Sequence, residues 1–210
     1  MNSRTEKIQL QGAAGVIEAA RDPAVDGRPV HGVAVIAHPH PLFGGSMDNK
    51  VVQTLARAFV ACGWAAVRFN FRGVGASEGA HDDGRGEMED MLSVIGQIAL
   101  DGPLAVAGFS FGAFVASRVV EKLFASRDVR HIVLVGTAAT RFGVASVPAD
   151  WHERTLVVHG EQDDTVPLSA VMDWARPQTL PITVIPGGGH FFHGQLPLLK
   201  NLVIRHLQAG

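Results

Sequence analysis

Apolar runs of strand length alternate with helix-period segments along most of this chain, and that alternation admits few folds. Gly32–His38 (GVAVIAH) is a continuous β-branched run with no polar face, as expected of a strand buried on both sides. Further runs of this kind are Trp64–Phe71, Leu104–Gly108, His131–Gly136, Thr155–Gly160 and Ile182–Gly187. Between them, Met47–Cys62 carries Val51, Leu55 and Phe59 on one helical face and stops at Gly63. Met88–Leu100, Phe111–Phe124 and a segment around Asp173 also read as helices, and Leu196–Leu207 closes the chain as another. Lys7–Gly12 and Gly15–Ala19 are short and separated by small residues, which suggests an opening antiparallel pair. Strand–helix alternation of this kind implies an α/β architecture: a mainly parallel sheet of about eight strands, flanked by helices in three layers.

The length of 210 residues and a hydrophobic content of 47% are enough to bury one substantial core, so residues 1–210 are expected to form a single domain. A formal charge of −2 gives no electrostatic reason to expect nucleic acid or an anionic membrane as partner. No stretch approaches the ~20 apolar residues that cross a bilayer. The N-terminal MNSRTEKIQLQG lacks an apolar leader core, and Cys62, the single cysteine, cannot form an intramolecular disulfide. A cytoplasmic protein is the expectation.

Gly108-Phe109-Ser110-Phe111-Gly112 falls where a buried strand hands over to a helix. A serine in so sharp a turn takes strained backbone angles that lift its hydroxyl above the sheet edge. Side chains two residues to either side would clash, hence glycine at both places. Ser110 is therefore the candidate nucleophile. A serine hydroxyl needs a base and a group to orient that base, and an open parallel sheet supplies both from the C-terminal ends of its other strands. After the strand TLVVH comes Gly160-Glu161-Gln162-Asp163-Asp164, where either aspartate suits the acid and Glu161 reads as a solvated turn residue. After the last strand comes Gly187-Gly188-Gly189-His190, a loop with little side-chain obstruction that can carry His190 over the sheet edge; His193 is the lesser alternative. The chain order serine, acid, histidine is the one expected for this arrangement.

Taken together, GFSFG, HGEQDDTVP and GGGH resemble the α/β-hydrolase superfamily over nearly the whole chain. HPHPLFGG (His38–Gly45) looks like its small bacterial carboxylesterase-like hydrolases, and FNFRGVGASEG (Phe69–Gly79) is similar to an arginine-glycine turn that many members carry. The resemblance implies Asp163 as the acid. It also implies an oxyanion hole built from backbone N–H groups, one from Phe111 and one from the segment after the third strand. That segment departs from the usual histidine-glycine, because Pro39 and Pro41 have no N–H to offer. His40, or a later residue such as Leu42, is then the implied second donor.

Other motifs carry less. His38-x-His40 has a metal-pair spacing but no accompanying carboxylate or cysteine cluster, and the glycines of GVGASEG lack the strand–helix unit of a dinucleotide site. His81-Asp82-Asp83 reads as a solvated loop, and Phe109, Phe111 and Phe114 as core or pocket wall. No metal or cofactor is expected. Residues 137–154 leave room for a loop or short helix and hardly for a cap domain. The expected activity is hydrolysis of carboxylic esters with short or exposed acyl groups, through Ser110, His190 and Asp163 and an acyl-enzyme. Thioesterase or peptidase chemistry uses the same groups, and a non-catalytic binding protein on the scaffold is the alternative of another class. The expected partner is a small acyl substrate.

Overall fold

The computed structural model describes residues 5–24 and 30–209; residues 1–4, part of the stretch read as lacking a leader, lie outside them. Eight strands form one sheet: β1 (Glu6–Gly12), β2 (Gly15–Asp22), β3 (Val33–Ala37), β4 (Ala65–Phe69), β5 (Leu104–Phe109), β6 (Val129–Val135), β7 (Thr155–Gly160) and β8 (Ile182–Ile185). Their order across the sheet is β1-β2-β4-β3-β5-β6-β7-β8. β1 pairs with β2 and β2 with β4 antiparallel, and every later pairing is parallel. Among the described residues five α-helices accompany them: α1 (Lys50–Ala61), α2 (Arg85–Ile98), α3 (Phe111–Leu123), α4 (Leu168–Ala175) and α5 (Leu196–Ala209).

The period-2 alternation of side chains divides the core between the two faces. Val35, Ala37, Val67 and Phe69 pack with α2, α3 and α4 through Met91, Val94, Val115, Val119 and Val171. Ala34, Ile36, Ala66, Ala105, Ala107 and Val135 face α1 and α5 through Val51, Leu55, Phe59, Leu199 and Val203. Small alanines on this second face let Phe59 and its neighbours lie close to the sheet. Helix limits move by a few residues from those read in the sequence, for local reasons. α1 begins at Lys50 because the Asn49 side chain caps it, accepting from the Val51 N–H at 2.9 Å. α2 begins earlier than expected, at Arg85, because the Glu87 carboxylate reaches back to the Gly84 N–H at 2.8 Å.

The strand order places a topological switch between β3 and β5: from β3 the chain crosses one way to β4, then returns past β3 to β5. Crevices for ligands open at the C-terminal ends of strands flanking such a point. Two fixtures shape this one. Gly112 opens α3 against the end of β3, and a Cβ there would lie 2.5 Å from the carbonyl oxygens of both Ala37 and His38. Backbone cannot yield cheaply, so Gly112→Ala should cost about 3 kcal/mol in urea unfolding. Gly143→Ala, where a Cβ meets nothing within 4 Å, should be close to neutral by the same measurement.

The second fixture is His38, fully buried. Its Nδ1–H donates to the Pro39 carbonyl at 2.6 Å, and its Nε2 accepts from the Phe71 N–H at 3.0 Å, tying the end of β3 to the end of β4. Both nitrogens are thus taken by backbone, and only the neutral ring fits, since a second N–H would face that of Phe71. Burial pushes its pKa down to about 4, against the ordinary 6.5. The unfolded chain therefore takes up a proton that the fold excludes between those values. Its stabilisation is present in full above pH 6.5 and is lost as the pH falls towards 4, by about 3 kcal/mol. The destabilisation caused by His38→Gln should accordingly be larger at pH 7.5 than at pH 4.5 in parallel denaturant titrations.

Candidate active site

Ser110 joins β5 to α3 with φ 58° and ψ −117°, a left-handed conformation rarely adopted by a non-glycine residue. The surrounding structure enforces it. The Ser110 N–H donates to the Val135 carbonyl at 2.8 Å, and the Ser110 carbonyl accepts from Ala113 and Phe114 at 3.0 and 3.2 Å. At Gly108 a Cβ would lie 2.2 Å from the Gly112 carbonyl oxygen, so the glycines on either side of the turn are steric requirements. Ser110 occupies the N-cap position of α3 but makes no side-chain cap. Its hydroxyl points instead at His190, with Oγ and Nε2 2.9 Å apart.

The histidine arrives on the loop after β8 and the acid on the loop after β7, and backbone hydrogen bonds bind the two loops together. The Glu161 N–H donates to the Ile185 carbonyl at 3.0 Å and the Gln162 N–H to Gly188 at 2.8 Å. Glu161, exposed in its turn as expected, also accepts from the Gly187 N–H at 2.8 Å through Oε2 and so anchors the base of the histidine loop. His190 Nδ1 lies 2.7 Å from Asp163 Oδ2. The other Asp163 oxygen, Oδ1, accepts from the Thr165 and Val166 N–H groups at 3.0 and 2.7 Å, which fixes the carboxylate plane. Burial raises the Asp163 pKa, but the His190 hydrogen bond and the Val166 N–H outweigh it and hold the carboxyl below its ordinary value. Asp163 is therefore ionised at neutral pH. Ser110, Asp163 and His190 are each less than 8% exposed, a chain of polar groups that reaches solvent only at its rim.

The alternatives separate cleanly. Asp164 is exposed and its side chain, among the described residues, bonds the hydroxyl of Thr165 beside it at 3.3 Å, and His193 is exposed with its ring towards Phe191. Among the described residues, neither the Phe111 nor the His40 N–H has a hydrogen-bond acceptor. The Leu42 N–H, by contrast, donates to His40 Nδ1 at 3.3 Å. Phe111 at the start of α3 and His40 just past β3 lie on the two sides of the switch point, with their rings 4.9 Å apart.

Two residues here were not read from sequence as part of the site. His159, at the end of β7, is fully buried; its Nε2–H donates to the Val166 carbonyl at 2.9 Å and lies 3.5 Å from Asp163 Oδ2. It closes the acid loop on itself, and the only sequence sign was its place in the HG opening of HGEQDDTVP. His81 corrects the solvated-loop reading. Its Nδ1 lies 2.6 Å from Oε1 of the fully buried Glu87, and its ring packs 4.8 Å from His40 and 5.5 Å from Phe111. Glu87 also accepts from the Asp82 and Gly84 N–H groups at 3.0 and 2.8 Å, locking the loop in place. Three such bonds on one buried carboxylate cannot be read from a His-Asp-Asp string.

A mainly parallel eight-stranded sheet with a serine elbow after β5, an acid after β7 and a histidine after β8 defines the α/β-hydrolase class. The chain belongs to the α/β hydrolase fold family, whose model matches residues 40–153. It is similar to a solved α/β serine hydrolase without a lid from Xanthomonas campestris, at 32% identity with a TM-score of 0.87, covering 100% of this chain and 96% of that one. It is also similar to an α-β serine hydrolase homologue from Coxiella burnetii, at 35% identity and a TM-score of 0.81, covering 96% and 97%. A Rickettsia prowazekii protein without assigned function is 29% identical over 199 residues, 89% of this chain and 82% of that protein. As in a lidless hydrolase, β6 and β7 are joined by a short connection, whose described structure is loop and one 3-10 turn at Ala149–Trp151. No helix among the described residues is long and apolar enough to cross a membrane.

Proposed function

We propose that the protein hydrolyses carboxylic esters with short or exposed acyl groups, by acyl transfer to water through Ser110. His190 Nε2 takes the hydroxyl proton as Oγ attacks the carbonyl carbon, and the carbonyl oxygen becomes an oxyanion. The Phe111 and His40 N–H groups receive that charge, each such donor contributing about 3 kcal/mol to the transition state. His190 then gives its proton to the leaving alkoxide and the acyl group remains on Oγ. Water, deprotonated by the same imidazole, attacks the acyl carbon; the bond to Oγ breaks, His190 returns the proton to Ser110 Oγ, and the acid is released. Asp163 keeps the Nδ1–H tautomer and stabilises the imidazolium while it lasts.

The observation that carries this reading is the unbroken hydrogen-bond chain from Ser110 through His190 to Asp163, at 2.9 and 2.7 Å. The short connection from β6 to β7 supports the open site and hence the preference for exposed acyl groups. A fluorophosphonate probe should label the wild-type protein and leave Ser110→Ala unlabelled, and a p-nitrophenyl ester series should favour short over long acyl chains. Equal labelling of both proteins would end the assignment, and a marked long-chain preference would end the open-site reading.

A further inference from the structure

Several rings cluster around His40 on the oxyanion side of the site, and some of them are not finished as packing. The His40 imidazole is the hub. Phe43 lies 4.7 Å from it, Phe111 4.9 Å, His81 4.8 Å and Phe142 5.9 Å, all at tilts of 42–56°. Phe111 and Phe114 are buried and belong to the core. Phe142 stacks on Phe114 at 4.8 Å and 17° yet stays only half-buried, and Phe43 is 74% exposed. The Phe43 ring, on a 3-10 turn over Pro41–Phe43, therefore presents apolar surface to water beside the His40 ring, which in turn touches that of Phe111. A ring confined to the core would need no such exposure.

From this arrangement we infer that Phe43, Phe142 and the His40 ring form an acyl subsite for a planar aromatic group, so that the substrates are esters of arylalkanoic or similar aromatic acids. The inference rests on the esterase reading above. In that reaction the leaving oxygen must lie beside His190 Nε2, which protonates it, so the alcohol part extends on the side of His190 and Phe191. The acyl part then runs away from His190, along the oxyanion side towards Phe43 and Phe142. Rings at these tilts offer edges and faces that pair with another aromatic ring, a gain of roughly 0.5–1.5 kcal/mol per contact beyond area burial. An alicyclic group of equal or greater area gains the burial alone. The subsite therefore discriminates by flatness and π-character, within an open cleft that needs no cap to surround the acyl group.

The test compares ethyl phenylacetate with ethyl cyclohexylacetate, whose carbonyls are electronically similar and whose side groups match in carbon count. Wild-type kcat/KM should favour the aromatic ester by about tenfold, the sum of one or two such contacts. Phe43→Leu, which keeps an apolar side chain and removes the ring, should bring the ratio below about threefold, and Phe142→Leu should act in the same direction. Circular dichroism on each variant separates a lost fold from a lost preference, and Phe43, being exposed, carries the decisive comparison. Ester turnover with a ratio near one would overturn the subsite while leaving the hydrolase reading intact. A preference that appears only between benzyl acetate and cyclohexylmethyl acetate would place the ring on the alcohol side and overturn it too. No ester turnover, together with no fluorophosphonate labelling, would be a failure of the hydrolase reading itself.

Discussion

Ser110→Ala is expected to abolish ester hydrolysis, lowering kcat at least about 10⁴-fold, with the far-ultraviolet spectrum unchanged. The hydroxyl is the part of Ser110 on which the proposed chemistry acts, and with His190 Nε2 facing Oγ at 2.9 Å its removal takes away the atom that would carry the acyl group. A second substitution makes the same experiment informative about the turn. Ser110 holds φ 58° and ψ −117°, a strain of order 1–3 kcal/mol for a residue with a Cβ. Alanine keeps that strain. Glycine relieves it, at an entropic cost of roughly 0.5–1 kcal/mol through the unfolded chain. Ser110→Gly should therefore be as inactive as Ser110→Ala and more stable by about 1 kcal/mol in urea unfolding. Appreciable activity in the alanine protein would place the nucleophile elsewhere. A glycine protein no more stable than the alanine one would mean that the turn stores no strain.

The fold was legible because its signals are local. Buried strands such as GVAVIAH and TLVVHG have no polar face, and a helix such as Lys50–Ala61 sets Val51, Leu55 and Phe59 on one side, so element type follows from period alone. Ser110 was legible for a related reason: its conformation demands glycines at fixed offsets, and those leave a mark in the string. The acid was half-legible. Chain position after the strand fits Asp163 and Asp164 alike, and only the resemblance carried by HGEQDDTVP chose Asp163; in the structure it is the one that meets the histidine loop and is fixed by the Val166 N–H. His159, His81 and Glu87 were not legible as members of the site. Their roles arise from contacts between β7 and its own returning loop, and between the start of α2 and the end of β3, which no spacing rule encodes. Glu161 stands exposed in a turn, as read, but its bond to Gly187 was not legible for the same reason, since that partner comes from a different crossover.

The carboxylate that only the family resemblance singled out gives the sharpest remaining test, because its two oxygens do different work. Oδ1 accepts from the backbone N–H groups of Thr165 and Val166, and Oδ2 faces His190 Nδ1. In Asp163→Asn the amide must keep its oxygen towards the two N–H donors, because an NH₂ there would oppose them both. The NH₂ is thereby turned onto His190, whose Nδ1 must become an acceptor. The proton then resides on Nε2, pointing at Ser110, and the ring can no longer take the hydroxyl proton. The side chain changes by one atom and keeps its backbone bonds, so the fold should hold while kcat falls about 10⁴-fold, the scale of a wrong-tautomer defect in such triads. Asp164→Asn, at an exposed carboxylate next in sequence, should stay within about twofold of wild type by the assumption that surface charge alone changes. Steady-state kcat on a short-chain ester, read beside thermal melting of both proteins, decides the matter. If the Asp164 variant loses the activity and the Asp163 variant keeps it, the acid has been misassigned despite the 2.7 Å contact.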